Sequence, residues 1–200
     1  VSIVLHPENP FYPIIHMNVR YFEMDTGVFW FGGGIDLTPH YIVPEHAGIF
    51  HRSLKEVCDK YNDSFYPKFK NWADDYFYLP HRDETRGVGG IFYDHLTDES
   101  GLSKDQLIEF ALDLGRLFPK VYSEQVKLNR NKSFNDDNIS WRNHRRGRYV
   151  EFNLVHDRGT KFGLLSGGRT ESILLSMPPQ AEWTYCHQPE KDSAEEKTLN

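Results

Sequence analysis

The chain has 200 residues, 38% hydrophobic and 14% aromatic, which suffices for one sizeable core and fits a single domain over residues 1–200. A net charge of −6 gives a nucleic-acid partner no global electrostatic support, and no apolar run approaches membrane-spanning length, so no transmembrane segment is expected. Two cysteines, Cys58 and Cys186, suggest neither a disulfide framework nor a CxxC zinc site, and a reducing compartment is the simplest expectation.

In chain order, the first element is a strand. From Ile14 to Phe22 the residues alternate, with Ile15, Met17, Val19 and Tyr21 on one face and His16, Asn18 and Arg20 on the other. Taken alone, such a strand has a solvated outer face. Here Phe11, Tyr12, Phe22, Phe29, Trp30 and Phe31 surround it, which favours a polar face lining a pocket. Gly32, Gly33 and Gly34 follow between two strand-like runs and remove three successive Cβ atoms, permitting close approach of a flat ligand or simply a tight connection. No GxGxxG or GxxxxGK[ST] pattern is present, so this is not a nucleotide loop. Asp36 stands out as an acid among glycines and aromatics, with an Asx-type cap as its plain role.

Helical spacing of Phe50, Leu54, Val57, Cys58 and Tyr61 predicts a helix from Pro44 to about Tyr61. A second helix is expected from Pro67, burying Phe69, Trp72, Ala73 and Tyr76. Arg86 to Asp94 reads as a glycine-bearing strand. Ser103 and Gln106 have the capping-box spacing that opens a third helix, which Pro119 should kink or break. Residues 129–143 read as an exposed polar loop, and Gly147 to Asp157 as a second alternating strand. Thr160 to Leu165 and Glu171 to Met177 are short strand or helix candidates on either side of the Gly167-Gly168-Arg169 turn, and residues 190–200 are expected to fray. Arginines cluster from Arg142 to Arg148 and around Arg82 and Arg86, a local cationic patch that suits a small anionic ligand, while Arg145-Arg146-Gly147-Arg148 taken alone reads as a solvated charge run or part of a subunit interface. His6, His16, His51 and His81 could converge on a metal, but no HExxH or fixed His and carboxylate spacing supports a familiar site.

Three motifs stand out: HPxNPxxPxxHxNxR from His6 to Arg20, WFGGGxDLTPxY from Trp30 to Tyr41, and Arg86-Gly87-Val88-Gly89-Gly90 leading to Asp94. In these the chain resembles the oxygen-dependent coproporphyrinogen III oxidase family. Arg145 to Leu154 and Gly167 to Leu174 extend the resemblance over nearly the whole chain. His95 and His40 depart from the family pattern beside these motifs.

The resemblance implies oxidative decarboxylation of two propionates of coproporphyrinogen III to vinyls, using O2 and giving protoporphyrinogen IX, CO2 and hydrogen peroxide. It implies catalytic roles for His16 and Asp36, and substrate contacts at Ser2, Asn18, Val19, Arg20, Gly167, Gly168 and Arg169. It implies no required cofactor beyond O2 as co-substrate, although a divalent metal at His6, His16, His51 and His81 stays open. It also implies a homodimer with its interface around Tyr149 to Thr184 and an N-terminal region preceding Val1. The expected location is cytoplasmic, with the mitochondrial intermembrane space as the alternative. The expected fold is α+β, a large antiparallel sheet with helices on both faces and the pocket between the sheet's polar face and a helical layer. A tetrapyrrole-binding module without turnover and a histidine-ligated metal oxygenase are the rival functions.

Overall fold

The computed structural model of the chain describes residues 1–199. Four antiparallel strands form the central sheet in the order β1-β2-β3-β6: β1 Ser2–Leu5, β2 Ile14–Glu23, β3 Phe29–Thr38 and β6 Gly90–Leu96. A separate ribbon pairs β4 Tyr78–Leu79 with β5 Glu84–Thr85. The helices are α1 Pro44–Asp59, α2 Phe65–Phe77, α3 Lys104–Asn129, α4 Asp136–Glu151, α5 Arg158–Leu165, α6 Thr170–Leu174 and α7 Glu196–Leu199. The α+β architecture is the expected one.

The strand period divides the sheet chemically. Ile15, Met17, Ile35, Leu37, Ile91 and Tyr93 point to one side and pack with Phe50 and Leu54 of α1, Phe65 and Phe69 of α2, and Leu107, Phe110 and Leu114 of α3. The opposite side carries the polar residues. α2 serves both layers, because Ala73 and Phe77 at its C-terminal end join Leu79 and Phe152 in a second apolar cluster.

α3 opens with the Ser103 and Gln106 capping box, each side chain accepting from the other's backbone amide. It runs through Pro119 instead of ending there. Pro119 is exposed, so the carbonyl it leaves without a donor is one turn back on a wetter face, while Leu114, Phe118 and Val121 hold both halves in the core.

Four further expectations are corrected. The polar stretch 129–143 is not all loop: α4 starts at Asp136, with Asn135 and Asn138 forming a second capping box. Gly147 to Asp157 is not a strand; α4 continues to Glu151 and a π-helical turn covers Phe152–His156. The inward stripe of that segment is Arg142, Arg145, Arg146, Tyr149, Phe152 and Asn153, a helical spacing written mostly in polar residues, which hydrophobic periodicity overlooks.

For the same reason the arginine run is not solvated. Arg145 Nη1 and Arg148 Nε bind the two oxygens of Glu84 at 3.0 and 2.8 Å, Arg146 Nη2 donates to the Pro7 carbonyl at 2.7 Å, and Arg142 donates to the Glu8 carbonyl. α4 is thereby tied to β5 and to the β1–β2 connection. Residues 196–199, expected to fray, form α7, whose Thr198 hydroxyl accepts from the Ile42 amide, while the Tyr41 hydroxyl donates to Glu195. Asn200 lies outside the described residues.

Candidate active site

The antiparallel register stacks the polar residues in rows. On the sheet's second face His16 lies opposite Asp36, Asn18 opposite Gly34 and Arg20 opposite Gly32, while β1 sets Val4 beside His16 and Ser2 beside Asn18. Together with Phe92 and Asp94 of β6 they form one wall of a cavity of about 680 Å³. Trp72 and Tyr76 of α2, Tyr149 of α4, Arg158 and Phe162 of α5, and Ile173 of α6 supply the opposite wall. This is the size and character of a small-molecule site, largely apolar with a few convergent polar groups.

Asp36 is the centre of that polar set, 4% exposed. Its Oδ2 accepts a 2.8 Å hydrogen bond from His16 Nδ1, and its Oδ1 pairs with Arg86 Nη2. A carboxylate only accepts, so His16 carries its proton on Nδ1 when neutral and turns Nε2 toward Ser2 Oγ, 3.4 Å away. Burial pushes the Asp36 carboxyl up, but the Arg86 guanidinium and the His16 hydrogen bond outweigh it and hold the group below its ordinary 3.8. The sign follows: a depressed carboxyl contributes stability that is complete above its unfolded value and is lost as pH falls through the folded one.

Arg86 is equally buried, its guanidinium carbon 4.1 Å from the Phe77 ring centre, 4.6 Å from Tyr149 and 4.9 Å from Phe152. The segment bearing it runs against β3: the Val88 amide donates to the Leu37 carbonyl and the Leu37 amide to the Gly89 carbonyl, both at 3.0 Å. Such contact needs Gly87, since a Cβ there would sit 2.5 Å from the Leu37 carbonyl oxygen. From behind, His51 Nε2 donates to the Val88 carbonyl at 2.9 Å and the Tyr66 hydroxyl lies 3.1 Å from His51 Nδ1.

The glycine triplet has a related purpose. Arg20 reaches Asn18 Oδ1 at 2.9 Å and Asp94 Oδ1 at 3.0 Å, lying across β3 at Gly32, where a Cβ would come within 2.7 Å of both Arg20 and Asp94. Asp94 is aimed there by a bulge, because Asp94 and His95 together face the single residue between Phe31 and Gly33.

Of the residues singled out from sequence, Ser2, His16, Asn18, Arg20 and Asp36 share the cavity wall. Val19 does not: its side chain packs on the core side, and its amide and carbonyl bond to Val1. Gly167 and Gly168 form the α5–α6 turn and Arg169 precedes α6; all three are exposed and off the cavity wall. The four histidines do not converge. His6 Nε2 bonds to the Ser176 carbonyl and His81 to Glu151 and His156, while His16 and His51 are engaged as described. Among the described residues no group of three or more His, Cys, Asp or Glu is arranged to hold a metal.

Sequence reasoning missed Arg86 as the partner of Asp36, and missed Asp94, Tyr149 and Arg158 as wall residues. Only Asp94 left a signal, since Phe92 and Asp94 share the strand alternation of the cavity face.

The coproporphyrinogen III oxidase family model matches residues 1–200. The chain is 49% identical over 208 residues to the oxygen-dependent coproporphyrinogen-III oxidase, chloroplastic, of Hordeum vulgare, covering 100% of this chain and 52% of that protein. It is 49% identical over 208 residues to coproporphyrinogen-III oxidase 1, chloroplastic, of Arabidopsis thaliana, covering 53% of it. To the oxygen-dependent coproporphyrinogen-III oxidase of Francisella tularensis subsp. holarctica (strain LVS) it is 51% identical over 201 residues, covering 98% of this chain and 64% of that protein. The chain thus spans between half and two-thirds of the length of these relatives.

Arg86→Leu should destabilise the fold by about 3 kcal/mol, because it leaves Asp36 as a buried unpaired charge. Adding Asp36→Asn should recover part of the loss. Urea unfolding of the two single variants and the pair measures the coupling, and strictly additive losses would contradict the pairing.

Proposed function

The chain belongs to the coproporphyrinogen III oxidase family, and from that membership we propose that it catalyses the oxygen-dependent oxidative decarboxylation of coproporphyrinogen III to protoporphyrinogen IX, a step of haem biosynthesis. For each of two propionate arms, R–CH2–CH2–COO⁻ + O2 + H⁺ gives R–CH=CH2 + CO2 + H2O2. The carbon next to the pyrrole gives up a hydride equivalent to O2, which with one proton leaves as peroxide. The electron pair released by departing CO2 forms the new double bond.

The observation carrying this proposal is the meeting of His16, Asp36, Arg86 and Arg20 on one wall of a cavity floored by glycine. Loss of hydride leaves positive charge spread over the pyrrole, and a fixed carboxylate at Asp36 stabilises that charge while accepting the pyrrole N–H. Ionised and held on both oxygens, Asp36 acts as an anion and an orienter of His16, and His16 moves the proton at Nε2. Arg20 clamps a substrate carboxylate from the sheet side, assisted by Ser2 and Asn18. Arg158 takes the clamp role on the helical side, where Arg169 is off the wall. The ring supplies the electrons and O2 accepts them, so no metal or organic cofactor is required.

A homodimer is part of the proposal. Within Tyr149 to Thr184, Leu165 is 88% exposed, Leu175 79% and Val155 51%, an apolar surface suited to a second copy. We propose a cytoplasmic location, a reducing compartment that suits two free cysteines; among the described residues no helix is long and apolar enough to cross a membrane.

Protein exhaustively treated with chelator, mixed anaerobically with coproporphyrinogen III and then exposed to O2, should yield protoporphyrinogen IX, read as protoporphyrin fluorescence after oxidation. His16→Ala should lower kcat by about a hundredfold or more. Absence of product with the wild type, or dependence on added metal, would overturn the proposal. Leu165→Glu should shift sedimentation from dimer to monomer; an unchanged coefficient would contradict the dimer surface.

A further inference from the structure

The cavity wall does not end at the Arg20 and Asp94 ion pair. One cross-strand pair further along the same sheet face, Phe22 lies opposite Trp30. Their rings stack with centroids 4.1 Å apart, and the His95 ring lies 5.1 Å from Trp30. Phe22 is 46% exposed. The three rings form a shelf at the open end of the glycine floor.

His95 sits there in a strained backbone conformation. It has φ of 49°, a left-handed conformation in an exposed non-glycine residue, and it is the second residue of the bulge that points Asp94 at Arg20. One irregularity in β6 therefore aims an acid at the clamp and an imidazole at the shelf.

We propose that the Phe22, Trp30 and His95 shelf is a docking station for the tetrapyrrole at the mouth of the cavity, stacking one pyrrole ring while a carboxylate arm lies against Arg20 and His95. The occupant follows from three features. The shelf is continuous with the cavity through Arg20, whose side chain is 41% exposed. It is apolar and aromatic, suited to a ring face. Arg20 and His95, whose side chains are 41% and 72% exposed, flank the Asp94 carboxylate at 3.0 and 4.0 Å and bring two nitrogen-bearing groups to the shelf's edge, where an anionic periphery would meet them. This rests on the proposed substrate class and adds a site outside the cavity where that substrate first binds.

The test uses coproporphyrin III, the stable oxidised macrocycle, titrated by its fluorescence anisotropy into wild-type protein and into Trp30→Ala, Trp30→Phe and His95→Gly. Trp30→Ala should weaken binding about three- to tenfold and raise KM for coproporphyrinogen III by a similar factor with kcat unchanged, while Trp30→Phe should stay close to wild type. His95→Gly should weaken binding while unfolding at equal or higher urea, because it removes the ring and relieves the left-handed residue. A merely structural role would make binding follow stability. Affinities equal to wild type in Trp30→Ala and His95→Gly would overturn the shelf, as would failure of the wild type to bind coproporphyrin III. Binding that responds to these variants in a protein with no turnover would instead contradict the proposed reaction and leave the shelf standing.

Discussion

A carboxylate removed from water needs a compensating charge and filled hydrogen-bond sites, or it takes up a proton. Asp36 has both, from Arg86 on one oxygen and His16 on the other. Arg86 in turn is a buried cation that depends on the faces of Phe77, Tyr149 and Phe152, contributed by α2, α4 and the π-helical turn. One ion pair thus joins the sheet to the helical layer across the cavity, and the orientation of the His16 imidazole is fixed as a by-product.

The supporting structure follows from that constraint. Arg86 can reach Asp36 only because the Gly87 to Gly89 segment lies directly on β3, and His51 holds that segment by the Val88 carbonyl. Behind the aromatic cage, α4 cannot shift, since Glu84 binds two of its arginines and the β1–β2 connection receives two more. The cavity wall carries two further arginines, Arg20 and Arg158, and a glycine floor at Gly33 and Gly34. The same β6 bulge that pairs Asp94 with Arg20 also presents His95 to Trp30, so the cavity mouth and the Arg20 ion pair are set by one local distortion.

What the sequence made legible was local. His16, Asn18 and Arg20 share a face because a strand repeats every two residues, and α1, α2 and the start of α3 announce themselves through apolar spacing and a capping box. Asp36 stood out as an acid among glycines. Its partner Arg86 is fifty residues away, and nothing in either neighbourhood states the pairing. α4 escaped because its inward stripe is arginine, tyrosine and asparagine, so Val150, Phe152 and Leu154 mimic a strand while the buried positions keep a helical interval. Arg158 opens α5 and Arg169 caps the start of α6, and only the fold decides which one lines the cavity.

The most direct test of the central ion pair is the protonation state of Asp36, followed by carbon-13 NMR of its carboxyl as pH is lowered. The account predicts that the group stays ionised below its ordinary 3.8, because Arg86 and His16 outweigh burial. A midpoint raised above that value would mean that burial wins, and that a neutral acid stands at the centre of the site.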